Sequence, residues 1–317
     1  MVKTVAAIAL LMAFALGVYW LLLAIRPKSG LISFSFLLVL PAVVSAFVAF
    51  VADPWAERKL AFYLMVPVWI MLAACGTASI FLREGVICIL ILSPLWVGSG
   101  AAGAWVTWLI RSRIKASRTY CVALLVLPLL AMQAEPFVPL PTMQTAVTRS
   151  VVIDAPPERI WPLLRGIPDV HPDEGQWNLS QGVIGLPRPE GARLTQDGIG
   201  AERIASWTHH IRFRERITQW QPERRIAWRF IFDDLRGWDF TDTHLRPDSD
   251  YFRVTTGGYS LQPLADGRSR LTLDTHYWIR TPVNHYSTLW GEFFLGDVEN
   301  NLLALVKQRA ERNGQKS

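Results

Sequence analysis

Four apolar runs almost free of charge, residues 2–25, 31–52, 60–82 and 86–110, constrain this chain more than any other feature. Each is about 20 residues or longer, the length an α-helix needs to cross about 30 Å of hydrocarbon. A fifth run, 120–134, is shorter and contains Pro128, so the first half is expected to form a transmembrane bundle of four to five helices. Polar hinges separate the runs: "RPKSG" at 26–30, "DPWAERK" at 53–59 and "REG" at 83–85. The first run exceeds a signal-peptide core and lacks a clear small-residue cleavage site, so it is read as retained.

Charge sets orientation and limits function. Residues 1–143 carry 10 Lys/Arg against 4 Asp/Glu, whereas residues 144–317 carry 22 of each sign. The basic excess flanks hydrophobic runs and forms no face on the polar half, which argues against nucleic acid as a partner. With the N-terminus inside, inner segments hold Lys3, Arg58, Lys59, Arg111, Arg113, Lys115 and Arg118, and outer loops hold only Arg26, Lys28 and Arg83. Lys and Arg gather on the inner side of short loops, which favours this orientation. If 120–134 spans, the polar half faces outward, into the periplasm of a bacterial inner membrane; if it does not, that half is cytoplasmic. The outward reading is taken here.

The run interiors hold no ionisable residue, unlike ion or proton pathways, so an anchor is expected. The patch "GSGAAGA" at 98–104 allows helices to approach closely. Cys75, Cys88 and Cys121 all lie in apolar runs. No disulfide can therefore staple the polar half, which is large enough to stand on its own core. The division expected is a transmembrane domain at 1–134, a Pro-rich linker at 135–144 containing "EPFVPLP", and a second domain at 145–317.

The second domain opens on "VVIDAPPERIWPLL". Its β-branched run stops at Asp154-Ala155, and Ala155 precedes Pro156, which disfavours helix there. Pro157 and Glu158 suit a first helical turn, and Ile160, Trp161, Leu163 and Leu164 supply an apolar face. A polar stretch, 169–180, is expected to hold a second short helix and a loop. Strands are predicted at 145–154, 198–207, 211–220, 225–232, 251–261 and 270–280, with turns at "QPER" and at the Asp-Gly pair of "ADG". A helix over 283–312 closes the chain, with Leu289, Phe293, Phe294, Val298, Leu302, Leu305 and Val306 near helical spacing. A sheet and a long helix must bury their faces against each other. If the sheet curves around the helix, the space between is a natural cavity for an apolar guest.

These segments resemble the START-like superfamily of polyketide cyclase/dehydrase and lipid-transport proteins (SRPBCC). The resemblance is carried by "SVVIDAPPERIWPLL", "FRERITQWQPERRIAWRF", "YFRVTTGGYSLQPLADGRSRLTLDTHYWIR" and the terminal helix, over about residues 145–312. It implies an α+β helix-grip domain, a curved antiparallel sheet around a long C-terminal helix. Lipid and hormone binders and cyclases share that fold, so fold alone does not deliver a ligand.

Strand alternation sorts the candidate site. Arg212, Arg214 and Arg216 occupy one face of 211–220 and must meet solvent, which turns Phe213, Glu215 and Ile217 inward. Trp228 and Phe230 share a face of the next strand and Tyr277 an inward face of the last. With Tyr259 and Phe293 they make the expected ligand-binding set. Buried among apolar groups, Glu215 should have a raised pKa and could act as acid/base or hold a polar head. It could equally be a carboxylate paired with an Arg or a Tyr hydroxyl. Gly257-Gly258 suggests a bulge. His171, His209, His210, His244, His276 and His285 lack metal-site spacing. No nucleophile elbow, phosphate loop or dinucleotide fingerprint is present. No metal, cofactor or catalytic residue is therefore assigned. The expected function is a membrane-anchored module binding a small hydrophobic or lipid-like ligand beside the lipid bilayer. The alternatives are a cyclase- or dehydratase-like enzyme using Glu215, with Tyr277, and an adaptor without a ligand.

Overall fold

The structure is a computed structural model that describes residues 33–77, 86–113, 133–235 and 246–312, with a few isolated positions elsewhere. The chain divides into two compact units, residues 1–141 with 281–283 and residues 142–280 with 284–317.

The first unit contains α1 (Leu40–Ala52), α2 (Leu60–Thr77) and α3 (Val86–Arg113). Among the described residues two helical stretches are long and apolar enough to cross a membrane, Ser35–Ala52 and Ile89–Arg113, and a shorter apolar helix covers Leu60–Gly76. That is fewer than the four to five expected. The run at 2–25 and most of 120–134 lie outside the described residues. The small-residue patch brings helices together: a Cβ on Gly103 would fall 2.0 Å from the Ala42 carbonyl oxygen, and one on Gly100 would meet Ser45 and Pro67. At the α1–α2 hinge, the Asp53 carboxylate accepts from the Glu57 and Arg58 amides, both at 3.1 Å, and from the Tyr63 hydroxyl at 2.8 Å.

The second unit is one seven-stranded antiparallel sheet with a long helix. Its strands are β1 (Thr142–Ile153), β2 (Pro189–Leu194), β3 (Glu202–Trp207), β4 (Ile211–Gln221), β5 (Arg225–Ile231), β6 (Phe252–Pro263) and β7 (Ser269–Arg280). Their order across the sheet is β1-β7-β6-β5-β4-β3-β2. After β1 comes α4 (Pro157–Arg165), then a helical turn, α5 (Leu179–Gly182); α6 (Asn284–Arg312) ends the described chain. β1 starts inside the stretch expected to be linker, because Thr142 already pairs with Arg280 and the register then runs unbroken to Ile153 against Ser269. β2 was not expected: "PEGARL" opens on a proline and holds a glycine, which weaken a strand pattern, and it forms an edge of the sheet.

Pro156 is extended and Pro157 opens α4, as the strand-to-helix junction requires. Ile160, Trp161 and Leu164 of α4 join Ile153, Ile217, Ile226, Leu261, Leu271 and Leu273 of the sheet, and Leu303, Val306 and Ala310 of α6, in one packed core. Removing a side chain such as Leu271 from a core of this kind costs about 3–5 kcal/mol. The apolar face expected for the long helix matches the buried one in its C-terminal half, where Leu305 and Val306 are buried and Leu302 packs on the core, and departs from it nearer the N-terminal end. The buried sheet-facing stripe is Gly296, Glu299, Leu303, Val306 and Ala310, whereas Leu289 is 67% exposed. The glycine pair also differs from expectation. The register shift lies between Val254 and Thr256, and Gly257 instead makes room for the Trp228 indole, which a Cβ would approach to 3.0 Å.

Candidate functional site

Alternation places Arg203, Ala205 and Trp207 of β3, Phe213, Glu215 and Ile217 of β4, Trp228 and Phe230 of β5, Tyr259 of β6 and Thr275 and Tyr277 of β7 on the inner face. Ile217 belongs to the packed core beside α4 and α6. Beyond it the inner face turns aromatic. Phe213 lies 5.8 Å from Phe230 and 5.5 Å from Phe232, ring centre to ring centre, and Trp207 and Trp238 pack on the same group. Phe230 and Phe232 are stacked 6.0 Å apart. Trp207, Phe230 and Phe232 keep part of their surface accessible although they point to the core side of the sheet.

Glu215 and Arg203 stand directly opposite each other on β4 and β3. Both are buried, and the Arg203 Nε donates to Glu215 Oε2. The same guanidinium donates to the Leu164 carbonyl at 2.6 Å and lies 4.2 Å over the Trp228 ring. Burial opposes its charge, and the Glu215 charge beside it reverses that effect, so its pKa rises. The sequence singled out Glu215 and left out its partner, although Arg203 falls on the inward phase of β3. Tyr259 packs on Trp228 at 5.4 Å, and burial pushes its hydroxyl up to about 12. Tyr277 sits in a second cluster with Val147, Val254 and Ile279, 5.5 Å from Phe252. Burial likewise takes its pKa up to about 12. Phe293 is 36% exposed, and its ring contacts among the described residues are with Trp290 and Phe294 of its own helix. Seven of the eight expected positions thus share the inner face, and Phe293 stands apart from them.

The sequence reading missed the most unusual group. Glu299 projects from α6 with 1% of its surface exposed, and neither carboxyl oxygen has a hydrogen-bond partner. Burial raises its pKa to about 8. The Thr275 hydroxyl, which faces it outside hydrogen-bond geometry, and the Arg149 charge pull it partly back; Asp274 and Glu292 add to the rise. At neutral pH Glu299 therefore holds its proton and offers one donor and one acceptor. The Trp228 indole N–H is also buried without a partner. The available signal was a carboxylate on a helix stripe whose other members are Gly296, Leu303, Val306 and Ala310. Among the described residues no group of three or more His, Cys, Asp or Glu could hold a metal ion.

A family model described as polyketide cyclase / dehydrase and lipid transport matches residues 144–311. No curated protein matches the chain. Similar solved structures include protein NE0264 from Nitrosomonas europaea, at 14% identity over 54% of this chain and 96% of that one, with a TM-score of 0.34. The Zhui aromatase/cyclase from Streptomyces sp. R1128 matches at 17% identity, over 54% and 96% of the two chains, with a TM-score of 0.34. A truncated norcoclaurine synthase from Thalictrum flavum matches at 11%, over 54% and 94%, also with a TM-score of 0.34.

Proposed function

The chain belongs to the polyketide cyclase / dehydrase and lipid transport family, and from that premise we propose that its second unit binds a small hydrophobic or lipid-like molecule on the inner face of the sheet, while its first unit holds it at a bilayer. One observation carries the binding reading. Trp207, Phe230 and Phe232 point inward yet stay partly accessible, where a sheet face closed by its helix would bury them completely. Ligand sites are largely apolar and aromatic with a few placed polar groups, and this face supplies both.

The membrane reading is supported by what the apolar helices expose. Leu64, Met65, Trp69 and Leu72 of α2 and Leu90, Trp105 and Val106 of α3 are exposed. Apolar side chains exposed in this number on two helices are suited to a partner or a membrane. The proposed arrangement is an anchor of four to five helices with the boundaries 1–134, 135–144 and 145–317. It lies in a bacterial inner membrane, with the second unit on the periplasmic side. A guest that partitions into the bilayer is then captured beside it. The ligand-lining residues proposed are Phe213, Glu215, Ile217, Trp228, Phe230, Tyr259, Tyr277 and Phe293.

The reading is tested on full-length protein extracted gently from membranes. Mass spectrometry is expected to find a co-purifying apolar compound, and adding lipid-like ligands to the stripped protein is expected to raise its melting temperature. Saturation at about a hundred times Kd should add about 2.7 kcal/mol to stability. No co-purifying compound, together with no shift from any lipid-like ligand, overturns it.

A further inference from the structure

We propose that Glu299 anchors the polar end of the ligand, and that this end is an uncharged carbonyl oxygen function, a ketone, ester or amide, and not a carboxylate, phosphate or amine. This rests on the ligand-binding reading and deepens it.

The geometry is that of an unfinished hydrogen-bond set. Buried polar groups are satisfied almost without exception in folded proteins. Here the Glu299 carboxyl of α6 and the Trp228 indole N–H of β5 are both buried and both unpartnered. They belong to one neighbourhood. Trp228 stands opposite Gly257, and Gly257 opposite Thr275; Thr275 faces Glu299, and Tyr259 senses the charges of Arg203, Glu215 and Glu299 together. Four elements thus converge on one polar spot within an apolar surround.

The charge pattern selects the head group. An anionic head needs an uncommitted cation. Among the described residues the guanidiniums on the inner face are engaged: Arg203 with Glu215 and the Leu164 carbonyl, Arg149 with Glu292 at 2.7 Å and the Thr148 carbonyl. Indole N–H is a donor only, and a protonated carboxyl adds a second donor. Two donors without partners in one neighbourhood suit an acceptor oxygen. The groups that bear on Glu299 from the packed elements are Arg149 of β1, Asp274 and Thr275 of β7, Tyr259 of β6 and Glu292 of α6. As pH rises through about 8, Glu299 ionises; it then loses its donor and turns a negative charge toward the carbonyl oxygen.

The test uses full-length protein in lipid nanodiscs and three probes of one chain length: tridecyl methyl ketone, tetradecanoic acid and tetradecylamine. Affinities are read over a pH series spanning about 6 to about 10. The ketone is expected to bind most tightly, with affinity falling about tenfold through pH of about 8, the loss of one buried hydrogen bond. Glu299→Gln, which still donates and accepts, is expected to bind the ketone with no pH dependence. Glu299→Leu is expected to bind it about tenfold more weakly at every pH below that point. Tightest binding of the acid or of the amine overturns the proposal, as does a pH profile that is unchanged in Glu299→Gln. In those cases the ligand-binding reading survives. Failure of all three probes to bind overturns this proposal, and the ligand-binding reading falls with it when the co-purification and melting tests are negative as well.

Discussion

Glu299 sits where a helix would ordinarily place an aliphatic side chain, and the consequence for stability follows from its two environments. In the unfolded chain it titrates near 4.5, and in the fold near 8. Below about pH 4.5 both states hold the proton and nothing is lost. Between about 4.5 and about 8 the unfolded chain has released it while the fold retains it. Stability therefore falls as pH rises, by up to about 1.4 kcal/mol per pH unit. Above about 8 both states are ionised and the loss is complete. Ligand-free Glu299→Gln is expected to match the parent chain near pH of about 4.5 and to melt progressively higher than it toward pH of about 8. Thermal unfolding of the two full-length proteins in one neutral detergent checks this, and parallel curves across the pH series would rule it out. The Arg203–Glu215 pair is the opposite case. Each charge satisfies the other, so the pair can be buried without leaving a carboxylate alone, and loss of one partner of such a pair is what costs several kcal/mol.

At the scale of the element, α6 approaches the sheet through glycines, and the two that matter are not equivalent. A Cβ at Gly291 would lie 2.3 Å from the Tyr277 hydroxyl oxygen and 2.8 Å from Cζ, against a buried, rigid ring. A Cβ at Gly296 would lie 2.3 Å from an Arg149 guanidinium nitrogen, the end of a flexible and partly exposed side chain. Alanine in place of helical glycine gains up to about 1 kcal/mol of propensity. Gly291→Ala is therefore expected to lose about 1–3 kcal/mol through overpacking. Gly296→Ala should be neutral or stabilising within about 1 kcal/mol. Denaturant midpoints of the two variants decide it, and equal losses would mean that Arg149 is held as rigidly as Tyr277. The same helix shows what could be read from sequence. The inward phases of β4, β5 and β7 follow from alternation alone, because Arg212 and Arg216 must reach water. The face of α6 follows only in part, because its buried positions mix Gly296, Glu299, Asn301 and Ala310 with Leu303, Leu305 and Val306. An apolar count selected Leu305 and Val306, which are buried, together with Leu289 and Phe293, which remain exposed. Glu299 was illegible for that reason, whereas Arg203 lies on the inward phase of β3 directly opposite Glu215 and follows from alternation once that strand is paired with β4. β2 escaped because a proline and a glycine within six residues weaken its strand pattern.

For the whole molecule, the proposed membrane topology turns on the ends of the helices in the first unit. Arg111, in the last turn of α3, donates to the Phe50 carbonyl of α1 at 2.7 Å and lies 4.5 Å over the Phe50 ring. The C-terminal ends of α1 and α3 therefore meet at one end of the helix group. Arg58 and Lys59 follow α1, and Arg111 and Arg113 close α3, so both basic segments emerge at that end. Such clustering marks a cytoplasmic face. A span at 120–134 would then carry the chain across to the opposite side before β1 begins, as the proposed periplasmic side of the second unit requires. A reporter enzyme active only outside the cytoplasm is expected to work when fused after Ser317 and to be silent when fused after Lys115. The reverse pattern, or activity of a cytoplasm-only reporter after Ser317, would mean that 120–134 does not span and that the ligand is met from the cytoplasmic leaflet.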